Sequence, residues 1–357
     1  MKSGCCVSVD LDRLVGNALS LKSAVGEYYC VLKCDAYGHG AARCARMLYE
    51  SGMERYAVFS LSEAIAIKPY IGKSEVLILG RTPSDEIELL KRYGFIQTLF
   101  SAEYADEIAP YSKGLRVHLK LDTGMNRSGF KCSVEGMKNA LFGFAGEIEG
   151  AYTHFHNADG KELAITFDQL SVFQSKSREL EALLRRKLCK HAAASAASLR
   201  VPCARLDASR IGLALYGILP ENCEGTCKVS PVMSVKAPVV SVRKIKKGEN
   251  IGYGCDQTAE NDMTAATLAV GYASGIPRSC AGYFKPVLNG RRVPFVGRIC
   301  MDRCMVNVTE LVNEGITVKP YDEAELLGDL VSAYELANAE NTVPYETVTR
   351  IGRMNDK

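Results

Sequence analysis

The run VLK at 31–33 ends in a lysine, and the polar, glycine-bearing segment CDAYGHG (34–40) follows it directly. A lysine at the rim of a cavity, partly stripped of water, titrates below its ordinary value of about 10.4 and can then attack a carbonyl. A strand-end lysine that simply reaches solvent fits the same position. A second segment, VHLKLDTGMNRSGF (117–130), gathers Lys120, Asp122 and Arg127. The arginine fork can hold an anionic oxygen there, and a surface ion-pair cluster accounts for the same residues equally well. The third segment is HAAASAASLR (191–200), followed by ASRIGLALYG (208–217). Its small residues allow close backbone approach, and Ser195, Gly212 and Leu213 offer donors to an anion, although alanine-rich packing explains the composition too. Further on, IGYGC (251–255) sets Tyr253 between glycines, and VGRICMDRC (296–304) carries a charged dipeptide in what reads as an apolar strand. A lone tyrosine is more often structural than catalytic.

These residues need elements to position them. From Tyr28 to about Arg210, short β-rich runs alternate with amphipathic stretches whose apolar residues recur three or four apart. The runs are YYCVLK (28–33), YAVFS (56–60), EVLILG (75–80), FIQTLF (95–100), RVHLKL (116–121), IEGAYTHF (148–155), a stretch near Leu188–Ala193 and a last one around Leu206–Arg210. That count and size match a parallel (β/α)8 barrel of the TIM type, with a doubly wound open sheet as the alternative. In such a barrel the carboxyl ends of the strands carry the chemistry, and the loops after the seventh and eighth strands hold phosphate, which places Lys33, Arg127 and the Gly212–Leu213 backbone at one mouth. After a polar break at Glu221–Thr226 the pattern changes to alternation in VMSVKAPVVSVRKI, a turn at KKGENIGYG, and a hairpin around Asn289-Gly290 in KPVLNGRRVPFVGR. The expected domains are a barrel over 8–228 and a mostly β domain over 229–357.

Composition narrows the function further. Apolar residues make up 47% and charged residues 24% of the 357, as in globular proteins, and the net charge of +3 has no long basic run behind it, so nucleic acid is not an expected partner. No apolar stretch is long enough to span a bilayer, and the start lacks the basic flank and apolar stretch of a secretory signal, so a cytoplasmic protein without membrane contact is expected. The fourteen cysteines are scattered through apolar segments and read as reduced thiols. The pairs Cys223/Cys227 and Cys300/Cys304 have spacings too wide for a zinc knuckle and no histidine beside them, and no metal site is expected.

In order along nearly the whole chain, these segments resemble the bacterial alanine racemase family. LKCDAYGHG (32–40) is similar to its cofactor-lysine motif, KLDTGMNR (120–127) to its barrel arginine motif, and THF (153–155) to its ring-stacking histidine segment. SRIGLALYG (209–217) is similar to its pyridine-arginine segment, and GYASGIPR (271–278) and VGRICMD (296–302) to its two C-terminal signatures. The resemblance implies an isomerase that interconverts L- and D-alanine on pyridoxal 5′-phosphate, with Lys33 as the Schiff-base lysine and the base on one face of the substrate. Tyr253 becomes the base on the other face; two bases are needed because one returning its proton to the same face regenerates the starting enantiomer. By the same resemblance His154 links Tyr253 to Arg210, and Arg210 contacts the pyridine nitrogen, which a reluctant proton donor leaves unprotonated. Arg127 lies near the cofactor's phenolic oxygen and the substrate, and Tyr37, Ser195, Gly212 and Leu213 surround the phosphate. Tyr272 and Arg278 line the entrance, and Lys120 matches a lysine that is often carbamylated. Met301 and Asp302 match substrate-side residues supplied, with Tyr253, by a partner subunit, which implies a head-to-tail homodimer.

Two positions depart from the family's pattern. Thr349, in TVPYETVTR, stands where a tyrosine usually touches the phosphate and narrows the substrate pocket, so a wider and more polar pocket is expected. With segments such as EVLILGRTPSD (75–85), it resembles the serine-racemising catalytic domain of vancomycin-resistance racemases, and serine is expected as a second or even main substrate. Ser274 replaces the aspartate of the GYADG signature. A pyridoxal-phosphate decarboxylase shares this architecture, but the Lys33/Tyr253 pair and the arginine at the pyridine nitrogen argue against it. A non-catalytic carrier of the cofactor resembles the barrel alone.

Overall fold

The computed structural model describes residues 4–355, which fall into two compact units. One comprises Leu11–Ala36 and Ala41–Ser230; the other holds the residues up to Asp10, Tyr37–Gly40 and those from Pro231 onward. Strand β1 (Cys6–Val9) pairs antiparallel with a strand of this second unit, so residues 8–10, grouped above with the barrel, belong to the second unit, Ser8 and Val9 within its sheet.

The first unit contains β2 (Tyr28–Val31), β3 (Arg55–Val58), β4 (Glu75–Ile78), β5 (Ile96–Leu99), β6 (Arg116–Lys120), β7 (Glu147–Tyr152), β8 (Cys189–His191) and β9 (Ser209–Ile211). Their apolar runs are buried on both faces, which is why they read as near-continuous hydrophobic segments; β2 and β5 are buried at every residue. All pairs are parallel, in the order β8-β7-β6-β5-β4-β3-β2-β9. The ring closes just past β8, where Ala194 bridges Arg210 and the Arg210 N–H donates to the Ala193 carbonyl at 2.9 Å. That closure makes the unit an eight-stranded barrel and removes the open-sheet alternative.

The run ending at Lys33 does not continue as a strand. Lys33–Gly38 is a helical turn in which Cys34, Asp35, Ala36 and Tyr37 all have φ of 54–55°. Left-handed backbone costs a residue with a Cβ about 1–2 kcal/mol, so four in a row persist only under strong local restraint. Two such restraints are visible inside the barrel unit: Glu63 Oε1 accepts from Cys34 N at 2.7 Å, and Asp35 Oδ1 accepts from Ala41 N at 2.6 Å. Glu63 is also the N3 partner in the capping box that Ser60 opens for the helix Leu61–Ile67.

The second unit is an antiparallel sheet built on β10 (Met233–Ile245), which pairs with β1, with β11 (Met263–Leu268) and with β16 (Glu323–Leu327). The short strands β12 (Val287–Leu288), β13 (Arg291–Arg292), β14 (Phe295–Val296) and β15 (Cys304–Asn307) complete it. Asn289 and Gly290 have φ of 48° and 79°, as a type I′ hairpin turn requires. In VGRICMDRC, β14 ends at Val296 and β15 begins at Cys304, so the charged pair Asp302-Arg303 sits in a connecting loop and not in a strand. The unit also ends in two helices, Ala333–Glu340 and Pro344–Asn355. The second crosses Tyr37–Gly40 so closely that a Cβ on Gly352 would stand 2.0 Å from the Gly38 carbonyl oxygen.

Candidate active site

The carboxyl ends of the barrel strands carry most of the residues singled out above. Lys33 follows β2, Lys120 ends β6, His154 follows β7, Ser195 follows β8, and Arg210 lies in β9. Burial, aided by the charges of Arg127 and Arg210, pulls the Lys33 amine below the ordinary lysine value. Lys120 is pushed down to about 8 by burial and by Arg127, Arg210 and Lys33, and its ammonium donates to Ser128 Oγ at 2.6 Å. Asp122 does not form the centre of a surface salt bridge here. Its Oδ1 accepts from Gly124 N at 2.9 Å and Asn126 N at 3.1 Å, which shapes the loop that carries the exposed Arg127.

Arg210 is 4% exposed, and its terminal nitrogens meet only neutral acceptors in the bonds formed here. Nη1 donates to His191 Nδ1 at 2.9 Å and to the His191 carbonyl at 2.7 Å. Nη2 donates to the Thr153 carbonyl at 2.7 Å, His154 Nδ1 at 3.2 Å and the Ala192 carbonyl at 3.3 Å. Burial pushes its pKa down to about 10, so it keeps its charge at neutral pH. Burial, with Arg210, Arg127, Lys120 and Lys33, holds His154 well below the usual histidine range; burial with Arg210 and Arg55 does the same for His191, and burial with Arg116, Arg55 and Arg210 holds His118 at about 3. All three imidazoles are neutral. A guanidinium can only donate, so His154 and His191 must each accept at Nδ1 and carry their proton on Nε2.

At the phosphate-type end of the barrel, Gly212 N donates to Ser195 Oγ at 3.1 Å. That amide, expected to serve an anion directly, instead fixes the serine hydroxyl, whose hydrogen stays available to a ligand. Leu213 opens the short helical turn Leu213–Tyr216, the end at which backbone N–H groups point outward.

The remaining candidates belong to the second unit. Tyr253 is 72% and Met301 60% exposed, and Tyr272, Arg278 and Asp302 also lie at its surface. Tyr272 and Met301 are neighbours, because Tyr272 N donates to the Cys300 carbonyl at 3.0 Å and Ala273 N to the Met301 carbonyl at 2.9 Å. Asp256 pairs with Arg298 and supports the loop that presents Tyr253. Tyr37 packs its ring 6.2 Å from Tyr345, and the half-buried Thr349 presents its carbonyl to Gly38. Arg350 is held by Glu340 at 2.6 Å and reaches the Gly275 carbonyl at 3.1 Å, joining the terminal helix to the Tyr272 segment.

Sequence reading missed the layer behind Arg210: His118, His191, Tyr152 and Thr98. His191 Nε2 lies 2.8 Å from His118 Nδ1, Tyr152 stacks on His191 with ring centres 4.8 Å apart, and the Tyr152 hydroxyl meets Thr98 Oγ1 at 3.0 Å. One signal was present: His118 stands two residues before Lys120 on one strand, so the two share a face.

The comparisons with known proteins agree with this geometry. The family model described as alanine racemase, N-terminal domain, matches residues 9–220, and that described as alanine racemase, C-terminal domain, matches 232–357. The chain is 35% identical to an alanine racemase of Desulforamulus reducens, over 99% of this chain and 98% of that one. It is 33% identical to alanine racemase 1 of Clostridium acetobutylicum, over 97% and 92%. Among solved structures, an alanine racemase of Clostridium difficile superposes with a TM-score of 0.88 at 30% identity, covering 98% of this chain and 94% of that one. The alanine racemase of Bacillus anthracis with bound L-Ala-P gives 0.85 at 30%, covering 98% and 93%. With both domains matched and relatives aligned from end to end, the chain belongs to the alanine racemase family.

Proposed function

We propose that this chain interconverts L- and D-alanine with pyridoxal 5′-phosphate as cofactor. The observation that carries the reading is the charge balance at the barrel mouth. Lys33, Lys120, Arg127 and Arg210 act on one another there, while the nearby carboxylates of Asp122 and Glu63 are bonded to backbone amides. Such an excess of cations, two of them desolvated lysines, suits a ligand bearing a phosphate, a phenolate and a substrate carboxylate. When bound, the cofactor supplies an electron sink that acidifies the substrate's α-hydrogen.

In this reading Lys33 holds the cofactor and moves the proton on one face, and burial, by lowering its pKa, favours both tasks. Tyr253 moves the proton on the other face. His154 carries its proton on Nε2 and joins the tyrosine to Arg210. Arg210 keeps its charge and leaves the pyridine nitrogen unprotonated, with Nε–H as the donor that its bonds to the protein leave over. Ser195, Leu213 and Tyr37 hold the phosphate, with Gly212 acting through the Ser195 hydroxyl that its amide fixes, and Arg127 meets the phenolic oxygen and the substrate carboxylate. Tyr272 and Arg278 line the entrance.

Tyr253, Met301 and Asp302 serve a neighbouring subunit in a homodimer; the exposure of the Tyr253 and Met301 side chains on this chain supports that assignment. Lys120 is a candidate for carbamylation, because an amine that titrates near 8 is partly neutral at working pH, and the modification turns a fourth cation into an anion facing Arg127. Thr349 leaves room and a hydroxyl for serine beside alanine. Among the described residues no helix is long and apolar enough to cross a membrane.

The test is formation of D-alanine and D-serine from the L-amino acids by the purified, cofactor-loaded protein. D-alanine formation is expected, with measurable D-serine. Cofactor binding without either product would overturn the reading.

A further inference from the structure

We infer that His118 and His191 form a relay that positions Arg210, which makes His118 a positioning residue for the contact of Arg210 with the cofactor's ring nitrogen. The inference rests on the role proposed above for Arg210 and extends it inward from the site. The chain of bonds has a direction set at one end. Arg210 Nη1 only donates, at 2.9 Å, so His191 Nδ1 accepts and its proton lies on Nε2. That N–H, 2.8 Å from His118 Nδ1, has to donate, which puts the His118 proton on Nε2. Removing the His118 acceptor releases the His191 ring to turn or change tautomer; a flipped ring puts Cδ2–H where Nδ1 accepted, a changed tautomer puts an N–H there, and either takes the acceptor away from the guanidinium.

The surroundings are built for this arrangement. His118 and His191 are 1% and 0% exposed. Tyr152 stacks on His191 at 12° between planes and lies 4.9 Å from the Arg210 guanidinium carbon, so edge and face of the arginine are both braced. Gly150, on the strand next to His118, leaves the ring its space; a Cβ there would stand 2.6 Å from His118 Nε2. Two neutral imidazoles also do what a carboxylate cannot. They orient the guanidinium without neutralising it, so its full charge remains for the ring nitrogen.

The test uses pyridoxal phosphate labelled with 15N in the ring, loaded into the wild type and into His118→Gln, His118→Asn, Gly150→Ala and Arg210→Gln. The asparagine amide places an acceptor where Nδ1 was; the glutamine amide does not, yet keeps the site polar. His118→Gln is expected to move the ring 15N signal and to lower kcat about tenfold with KM within about twofold. His118→Asn restores both values. Gly150→Ala adds a Cβ that meets His118 Nε2 at 2.6 Å and the Cys189 carbonyl oxygen, on the strand of His191, at 2.7 Å; by pressing on both members of the relay it is expected to move the signal in the same direction as His118→Gln, and it decides the matter if the glutamine variant does not fold. An unmoved signal in His118→Gln and Gly150→Ala, with Arg210→Gln moving it, overturns the relay alone. A signal unmoved even by Arg210→Gln overturns the role of Arg210 and the relay with it.

Discussion

The barrel mouth and the C-terminal unit present their candidate residues in opposite ways. At the mouth, Arg210, Lys120 and Ser195 are buried and bonded, and their positions follow from the strands that bear them. On the C-terminal unit, Tyr253, Met301 and Asp302 project from loops into solvent. A half-site that binds a cofactor tightly has to be rigid before the ligand arrives. A half-site that is completed by another molecule keeps its apolar side chains outside until that molecule covers them. On the proposed reading, the difference means that folding of one chain completes the cofactor side alone and that catalysis waits on assembly.

The largest effect should come from the rigid half. Lys33→Ala removes the only residue assigned to hold the cofactor covalently, and racemisation should fall by at least about a thousandfold, with loss of the cofactor's visible absorbance after dialysis. Retained absorbance and turnover would place the attachment elsewhere. Tyr253→Phe tests the exposed half: the cofactor stays bound while kcat/KM drops by about 10²–10⁴ from either enantiomer, because each direction uses one base to take the proton and the other to return one. Progress curves started from each enantiomer check it, and full activity would remove the second base. Thr349→Tyr narrows the pocket and should lower kcat/KM for serine by about tenfold relative to alanine. An unchanged ratio would leave Thr349 without a role in selectivity.

The smallest effect concerns the pH dependence of stability. The native Lys120 amine titrates near 8, below its unfolded value, so between these values the unfolded chain binds more protons. Stability should therefore rise as pH climbs from about 8 toward 10.4, and Lys120→Met should flatten that rise in denaturant titrations. A carbamylated Lys120 would instead show itself through dissolved bicarbonate, the protein being more stable and more active when it is supplied.

Much of the barrel was legible because parallel strands buried on both faces must be apolar runs, and eight such runs are hard to arrange otherwise. The hairpin at Asn289-Gly290 was legible for an equally local reason. The left-handed turn after Lys33 was not, since nothing in CDAY (34–37) announces positive φ at four residues with side chains; packing and the bonds from Glu63 and Asp35 hold it. Lys33, Arg127, His154 and Arg210 stood out through motifs, whereas His118 looked like one polar residue in an apolar strand. Its meaning lies in a contact with His191, far away in sequence, and no local pattern records that. The loop at Asp302-Arg303 was misread as strand because the apolar residues around it satisfy the same alternation.

The division of the site between two chains is tested most directly by co-expressing Lys33→Ala with Tyr253→Phe, each inactive as its own homodimer. If Lys33 of one protomer works with Tyr253 of the other, the mixed dimer has one intact site and one doubly damaged site. Random pairing should then restore about a quarter of wild-type activity. If both residues of each site came from one chain, every site in the mixture would lack a base. Activity would then remain at the level of the single variants, and the shared site would be contradicted.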